Sequence, residues 1–459
     1  MIPDCNETIV GIATAPGGAG IGIVRLSGRD SFAIAARFFR PKNFDTLFEQ
    51  RDRTMTYGWI EDGNLTLDEV LVCTMRKPHS FTAEDVVEIQ CHGGGFVVRS
   101  ILEVAIRCGA RLARPGEFTQ RAFLNGRIDL TRAEATNDLI GAKTGLGLDL
   151  AVNQLKGRLY ERIAALKEEI GWTLSLINAE IDFPEEDIVF AHSDEIAAKL
   201  RSVEAEIREL VASADIGIAV REGCKVVLAG EPNVGKSSIL NGLLKQERSI
   251  VTQIPGTTRD TIEEYCSIGG IPVSLTDTAG IRQTEDFLER EGIGRTYAAI
   301  RKADLIVWVI DVTKPMDSVE LPAELASSDL PILTVFNKKD CLDGGFVLPD
   351  RWKGGRYAVI SALEKEGIAE LRDLLHTCIS GGGDTKTEDA VLTNLRQKAA
   401  AAKALSAVER ARKSMEEGLG EEYLSVDLSD ALNALGDIVG ETTPDEMLNR
   451  VFADFCIGK

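Results

Sequence analysis

No stretch of about twenty apolar residues occurs in the 459-residue chain, so no membrane-spanning helix and no membrane partner are expected. The start, Met1-Ile2-Pro3-Asp4-Cys5-Asn6-Glu7, lacks the basic segment that precedes the apolar core of a secretory peptide. Positive charge is in deficit. With 52 Lys and Arg against 72 Asp and Glu, the net charge of −20 argues against non-specific nucleic-acid binding by bulk electrostatics, though it leaves room for a local basic patch. The nine cysteines include no C-x-x-C pair, which suits a reducing, cytoplasmic location better than a disulfide framework. The dinucleotide fingerprint G-x-G-x-x-G is missing, so Gly93-Gly94-Gly95 marks either a turn or a close ligand approach. His79 and His92, near Glu84, Asp85 and Glu88, do not have the spacing of a metal site.

What is present centres on Gly230-Glu231-Pro232-Asn233-Val234-Gly235-Lys236-Ser237. The apolar run Val226-Val227-Leu228-Ala229 precedes it and Ser238-Ile239-Leu240 follows it. A strand, a glycine-rich turn and a helix start form the context in which G-x-x-x-x-G-K-S means a phosphate-binding loop. Backbone N–H groups from Asn233, Val234, Gly235 and Ser238 would cradle phosphate, Lys236 supplies a point charge, and the Ser237 hydroxyl suits Mg²⁺. Three further stretches follow in order. Gly256-Thr257-Thr258-Arg259-Asp260 offers Thr257 and Thr258 to the metal and γ-phosphate. Asp277-Thr278-Ala279-Gly280 offers Asp277 to Mg²⁺ through water and the Gly280 amide to the γ-phosphate. Asn337-Lys338-Lys339-Asp340 follows an apolar run; a carboxylate at Asp340 accepts from guanine N1–H and the 2-amino group, a donor pair that adenine lacks. Ser361-Ala362-Leu363 completes the base pocket with a backbone N–H to O6. The order and spacing imply a GTP site.

At 49.8 kDa the chain is too long for one core, so a multidomain protein is expected. Residues 1–120 mix short strands at 8–13, 20–26, 70–75 and 86–91 with helices at 31–39 and 97–108, an α+β texture. Residues 121–216 read as helical. Leu155, Leu159, Ile163, Leu166, Ile170, Leu174, Ile177 and Ile181 define one apolar face on a single long helix, and residues 196–211 another amphipathic segment. The nucleotide domain spans 217–379, and helix resumes over 380–459. Helical sequence on both sides implies that a Ras-like α/β P-loop domain is inserted into a helical one.

The sequence resembles the bacterial tRNA modification GTPase MnmE (TrmE) family over essentially its whole length. The likeness rests on Pro115-Gly116-Glu117-Phe118-Thr119-Gln120-Arg121-Ala122-Phe123-Leu124-Asn125-Gly126, on Asp129-Leu130 with Ala133-Glu134-Ala135, on the four nucleotide stretches, and on the terminal Cys456-Ile457-Gly458-Lys459. It implies an α+β folate-binding and dimerisation head, a helical domain and an inserted GTPase domain. It further implies a homodimer working with an FAD-dependent MnmG (GidA)-like protein to place an aminomethyl-type group on C5 of the tRNA wobble uridine. The one-carbon donor would be 5,10-methylenetetrahydrofolate or 5-formyltetrahydrofolate. A ribosome-assembly or translation-associated GTPase would share the four stretches without needing the head or the terminal cysteine.

The resemblance also assigns roles. Ras-like switches place Gln directly after Asp-x-x-Gly, and here Ile281 stands in that position. Glu289 matches the family's water-orienting Glu, with Glu285, Asp286 and Glu291 as neighbours. The family uses K⁺ where other GTPases bring an arginine; Asn233 matches its side-chain ligand, and the 251–258 loop, with Val251, Ile254 and Thr257, would complete the shell. Arg259 and Arg282 are either phosphate clamps or solvated loop residues. Arg25 and Arg121, with Phe118 and Phe123, are candidate contacts to a folate, and Lys459 joins them through the terminal motif. Cys456 is either an apolar plug or, as the likeness implies, a functional thiol near the folate or tRNA site. The catalytic candidates are thus Lys236, Thr258, Glu289 and Cys456.

Overall fold

The computed structural model describes residues 7–43, 47, 51–182, 193–246, 263–277, 300–316, 319–322, 325, 330–342, 346–381, 390–453, 455 and 458. The chain divides into two units, Met1–Asn137 with Gly436–Lys459, and Asp138–Leu435.

Period-two alternation builds the first unit. Strands β1 (Ile9–Ile12) and β2 (Ile21–Ser27) pair antiparallel. Helix α1 (Ser31–Phe38) runs into β3 (Phe39–Pro41), followed by β4 (Met55–Asp62), β5 (Leu65–Met75), β6 (Val86–His92), α2 (Gly95–Arg107) and β7 (Arg111–Leu112). The sheet order is β3-β4-β5-β6-β2-β1-β7, antiparallel except between β1 and β7. Val24, Leu26, Val87 and Ile89 face α1 and α2 and share one core with Phe32, Ile34, Val98 and Ile101. Each such side chain contributes about 1.5–3 kcal/mol on burial. The intervening residues, among them Arg25 and Glu88, go to the opposite face because successive side chains alternate. The sequence reading contains no β4 and starts β5 five residues late. In β4 the buried positions are Thr56, Gly58 and Ile60, so the apolar period is masked by small and polar residues.

Helix α3 (Glu117–Leu124) and helix α4 (Leu130–Gly141) follow. Asp129 initiates α4: its Oδ1 accepts from the Thr131 and Arg132 amides at 2.9 and 3.2 Å, satisfying two of the first-turn donors. Leu130 and Ala133 pack with Leu448, Phe452 and Phe455 in a second cluster.

In the second unit, α5 (Gly145–Leu155) starts on Thr144, whose hydroxyl accepts from the Gly147 amide at 3.1 Å. Helix α6 (Arg158–Asp182) is separate from it. The expected single helix from Leu155 is therefore corrected: Gly157 at φ +93° interrupts it, and Leu155 ends α5 with 39% of its surface exposed. Leu159, Ile163, Leu166, Ile170 and Ile177 do form the buried face. Helix α7 (Ser193–Glu222) runs past Gly217, and the first strand of the nucleotide domain begins at Cys224. That strand, β8 (Cys224–Ala229), leads to α8 (Lys236–Gln246), β9 (Glu263–Ile268), β10 (Ile271–Asp277), β11 (Leu305–Asp311), β12 (Ile332–Asn337), β13 (Tyr357–Val359) and α9 (Ile368–Ser380).

The sheet order is β13-β12-β11-β8-β10-β9, parallel except for β9. Every residue of β11 is buried, as expected of a parallel strand covered on both faces. Helices α10 (Leu395–Glu416) and α11 (Glu421–Val439) follow, and α12 (Asp445–Ala453) returns to the first unit. Glu204 on α7 accepts from Arg208 at 2.5 Å and from Arg412 of α10 at 2.6 Å. Burial would raise its pKa, but the two guanidiniums outweigh that and hold it below the usual carboxylate value.

Candidate nucleotide site

Open parallel sheets bind ligands at the carboxyl ends of their strands, where the strand order reverses. Here β8 lies between β10 and β11, and its end carries the turn 230–235. The turn needs backbone that few residues supply: Asn233 sits at φ +62° and Gly235 at φ +100°. A Cβ on Gly235 would lie 2.2 Å from Asn337 Nδ2, so both conformation and space demand glycine. Asn233 is exposed, which leaves its side-chain oxygen available to a ligand.

Lys236, the first residue of α8, is 4% exposed and donates to the carbonyls of Gly230 and Glu231, both at 2.8 Å. Burial lowers its pKa, and the Asp277 carboxylate opposes that shift. Ser237 donates to Asp277 Oδ2 at 2.7 Å, and both are hard oxygen donors suited to Mg²⁺. The parallel register that pairs Asp277 with Leu228 brings the two together. Val234 is buried, and the Ser238 amide closes a turn onto the Gly235 carbonyl at 3.1 Å.

The base side is built around Asn337, which is 2% exposed. Its Nδ2 donates to the Val234 carbonyl at 2.7 Å and its Oδ1 accepts from the Ala362 amide at 2.9 Å. One side chain thus ties the phosphate loop to the base loop. The Ser361 amide donates to Glu366 at 2.9 Å, so neither Ser361 nor Ala362 has its amide free for guanine O6. In the Ser361-Ala362-Leu363 turn expected to offer an N–H to O6, the first two amides are thus engaged within the protein, and Leu363 is 78% exposed. Asp340 is exposed, and its carboxyl is held below its ordinary pKa chiefly by the Ser361 hydroxyl. Lys338, at φ +72°, reaches Asp311 Oδ2 at 2.6 Å. Sequence reasoning missed Asp311; the signal was an acid ending an otherwise apolar strand.

In the first unit, Arg25 lies opposite Glu88 in the β2–β6 register and pairs with it at 2.7 Å. Its guanidinium sits 5.5 Å from the Phe81 ring centroid and 5.6 Å from that of Phe118, and it donates to the Gly458 carbonyl at 3.4 Å. Arg127 stands 5.2 Å from the same Phe81 ring. Glu88, Phe81 and Arg127 were not assigned to this group from the sequence: the β2–β6 register brings Glu88 to Arg25, and Phe81 and Arg127 join from outside the strands. Arg121 does not join this group. It is fully buried, paired with Glu117 at 3.0 Å and Glu84 at 3.2 Å, and bonded to the Glu7 carbonyl at 2.9 Å. Its expected place at a folate is corrected: its guanidinium is spent on internal partners. Val251, Ile254, Thr257, Thr258, Gly280, Glu289, Cys456 and Lys459 lie outside the described residues, as do Arg259, Ile281, Arg282, Glu285, Asp286 and Glu291.

A glycine-rich loop opening a helix after the first strand of this sheet, with Asn-Lys-Lys-Asp at the carboxyl end of β12, defines a P-loop GTPase. Family models narrow the class: the GTP-binding protein TrmE N-terminus matches residues 8–127 and the MnmE helical domain matches residues 130–456. The chain belongs to the MnmE family. The tRNA modification GTPase MnmE of Syntrophotalea carbinolica is 44% identical over 457 residues, 99% of each chain. That of Alkaliphilus oremlandii is 41% identical over 458 residues, again 99% of each. Among solved structures, the FeoB G-domain from Methanococcus jannaschii aligns at 27% identity with a TM-score of 0.27, over 34% of this chain and 97% of that one.

Proposed function

We propose that the protein is a tRNA modification GTPase that hydrolyses GTP at the β8–α8 site in the service of a C5 modification of the wobble uridine. The observation that carries the nucleotide half is Asn337, which locks the phosphate loop to the base loop. Family membership over the full chain carries the tRNA half.

On binding, Lys236 exchanges the Gly230 and Glu231 carbonyls for the β- and γ-phosphates, and Asp340 accepts from guanine N1–H and the 2-amino group. Ser237 and Asp277 would hold Mg²⁺, which supplies charge neutralisation between the β- and γ-phosphates. Asn233, exposed beside the same phosphates, fits a monovalent cation such as K⁺, with the 251–258 loop as the remaining source of oxygens. Glu289 takes the role of orienting water that Ile281 cannot fill, and Thr258 stands at the γ-phosphate.

The site for the one-carbon donor, 5,10-methylenetetrahydrofolate or 5-formyltetrahydrofolate, lies at Arg25. A half-buried cation flanked by two aromatic rings and a carboxylate suits a flat, hydrogen-bonding, anionic ligand. Gly458 at Arg25 supports a place for Cys456 and Lys459 at that site. The sheet face of Arg25 also exposes Met55, Tyr57 and Leu71, which supports a homodimer through the head. An FAD-dependent MnmG (GidA)-like partner and a cytoplasmic location complete the reading. Among the described residues no helix is long and apolar enough to cross a membrane.

Turnover measured in K⁺ and in Na⁺ at equal ionic strength tests the catalytic half. The expected result is hydrolysis dependent on K⁺ and a fall of about two orders of magnitude or more in Glu289→Ala at unchanged nucleotide affinity. Rates indifferent to the cation and to Glu289 would contradict it.

A further inference from the structure

The turn at the end of β11 touches both halves of the nucleotide site. Asp311, its first residue, is 6% exposed. Its Oδ1 accepts from the Thr313 amide at 3.0 Å and hydroxyl at 2.7 Å, which fixes the carboxylate's orientation. Its Oδ2 accepts from Lys338 Nζ at 2.6 Å. Lys314, at the other end of the turn, forms an ion pair with Glu231 of the phosphate loop. The β11–β12 register sets Asp311 directly opposite Asn337, the residue before Lys338.

Lys338 is a non-glycine residue at φ +72°, a backbone state that persists where surrounding contacts over-determine it. With its ammonium tethered at 2.6 Å, the four-carbon stem of Lys338 loses most of its rotamers, two residues from Asp340. A free lysine would have to be ordered at the moment of binding, at the expense of affinity.

We propose that Asp311 is a positioning residue for guanine-nucleotide binding, acting through Lys338. The proposal rests on the GTPase reading and adds a residue to it. Asp311 touches no nucleotide. It would set Lys338 so that its stem packs on the purine's face, whereas Asp340 would read the ring's edge. The two functions separate experimentally. A face contact serves any purine of similar shape, while the edge contact distinguishes guanine from hypoxanthine, which lacks the 2-amino group.

The test is calorimetric binding of GDP and IDP to the full-length protein and to Asp311→Asn, Asp311→Ala, Lys338→Ala and the double variant Asp311→Ala/Lys338→Ala. Asp311→Asn keeps an oxygen for Thr313 but loses the charge facing Lys338, and it serves if the alanine variant fails to fold. Asp311→Ala should weaken GDP about three- to tenfold, the cost of immobilising one long side chain on binding, and Asp311→Asn by a smaller factor. The GDP-to-IDP affinity ratio should stay within about twofold of wild type, because Asp340 is untouched. In the Lys338→Ala background, Asp311→Ala should add less than about twofold, since coupled residues are not additive. GDP affinity unchanged in both Asp311 variants, additive losses in the double variant, or a collapsed GDP-to-IDP ratio would overturn the proposal. Failure of the wild-type protein to bind GDP would instead overturn the GTPase reading beneath it.

Discussion

Ser237 donates its hydroxyl to Asp277 Oδ2 at 2.7 Å, although one opens helix α8 and the other ends strand β10, forty residues apart. Parallel pairing of β8 and β10 makes this contact, and it places two hard oxygen donors at the phosphate loop. Ser237→Ala should therefore weaken GTP binding about tenfold or more in the presence of Mg²⁺ and have a much smaller effect in chelator. Equilibrium binding with and without the metal measures both. Equal losses in the two conditions would remove Ser237 from the metal site.

Asp340 is exposed and kept ionised, chiefly by the Ser361 hydroxyl. Asp340→Asn turns one acceptor into a donor and so should favour xanthine, whose 2-oxo group accepts. Affinity for GTP should fall by about two orders of magnitude, and that for XTP should rise. Competition between the two nucleotides on the variant provides the reading, and preserved GTP preference would refute the edge contact.

The head holds a buried ionic cluster. Glu117 is fully buried and accepts from Arg111 at 2.5 Å, from Arg121 at 3.0 Å and from the Arg114 amide at 2.9 Å. Burial alone would raise its pKa, but Arg111, the Arg114 amide and Arg121 reverse that and hold it below its ordinary value. A carboxyl depressed in the folded state adds stability above its unfolded pKa, and that stability is lost as pH falls from there through the folded value. Glu117→Gln should lower stability at neutral pH by about 3–5 kcal/mol, the cost of breaking a buried pair. It should also flatten the loss of stability as pH falls through and below the ordinary carboxylate range. Chemical denaturation from pH 3 to pH 7, on the order of one point per half unit, tests both. A variant as stable as wild type at neutral pH would contradict the assignment.

Gly458 fits where no other residue does. It has φ +97°, and a Cβ there would lie 1.9 Å from the Ile12 carbonyl oxygen. Gly458→Ala should displace the tail from Arg25 and change the alkylation rate of Cys456, read by mass spectrometry of the C-terminal peptide. Wild-type alkylation kinetics in the variant would show that the tail tolerates the side chain.

The parts legible in the sequence were those whose chemistry is local. The glycine-rich turn, Lys236 and Ser237 come from one short stretch whose backbone demands are met by its own residues. Asn337 was legible as a guanine-loop residue, but its bonds to Val234 and Ala362 depend on strand order, which no local pattern contains. Arg25 was legible, whereas Glu88 needed the β2–β6 register to become its partner. Arg121 was misread because a lone arginine carries no sign of its burial, although Glu117 four residues earlier on the same helix was a usable one. Leu155 continued the four-residue spacing of α6 by coincidence, and only the positive φ of Gly157 shows that the helix had ended.

The central claim is that this GTPase serves tRNA modification, and the most direct measurement is nucleoside analysis of tRNA from cells lacking the gene. The account predicts loss of the C5-modified wobble uridine, restored by the wild-type gene but not by Lys236→Ala, which removes the phosphate contact. A full complement of wobble-uridine modifications in the deleted cells would contradict it.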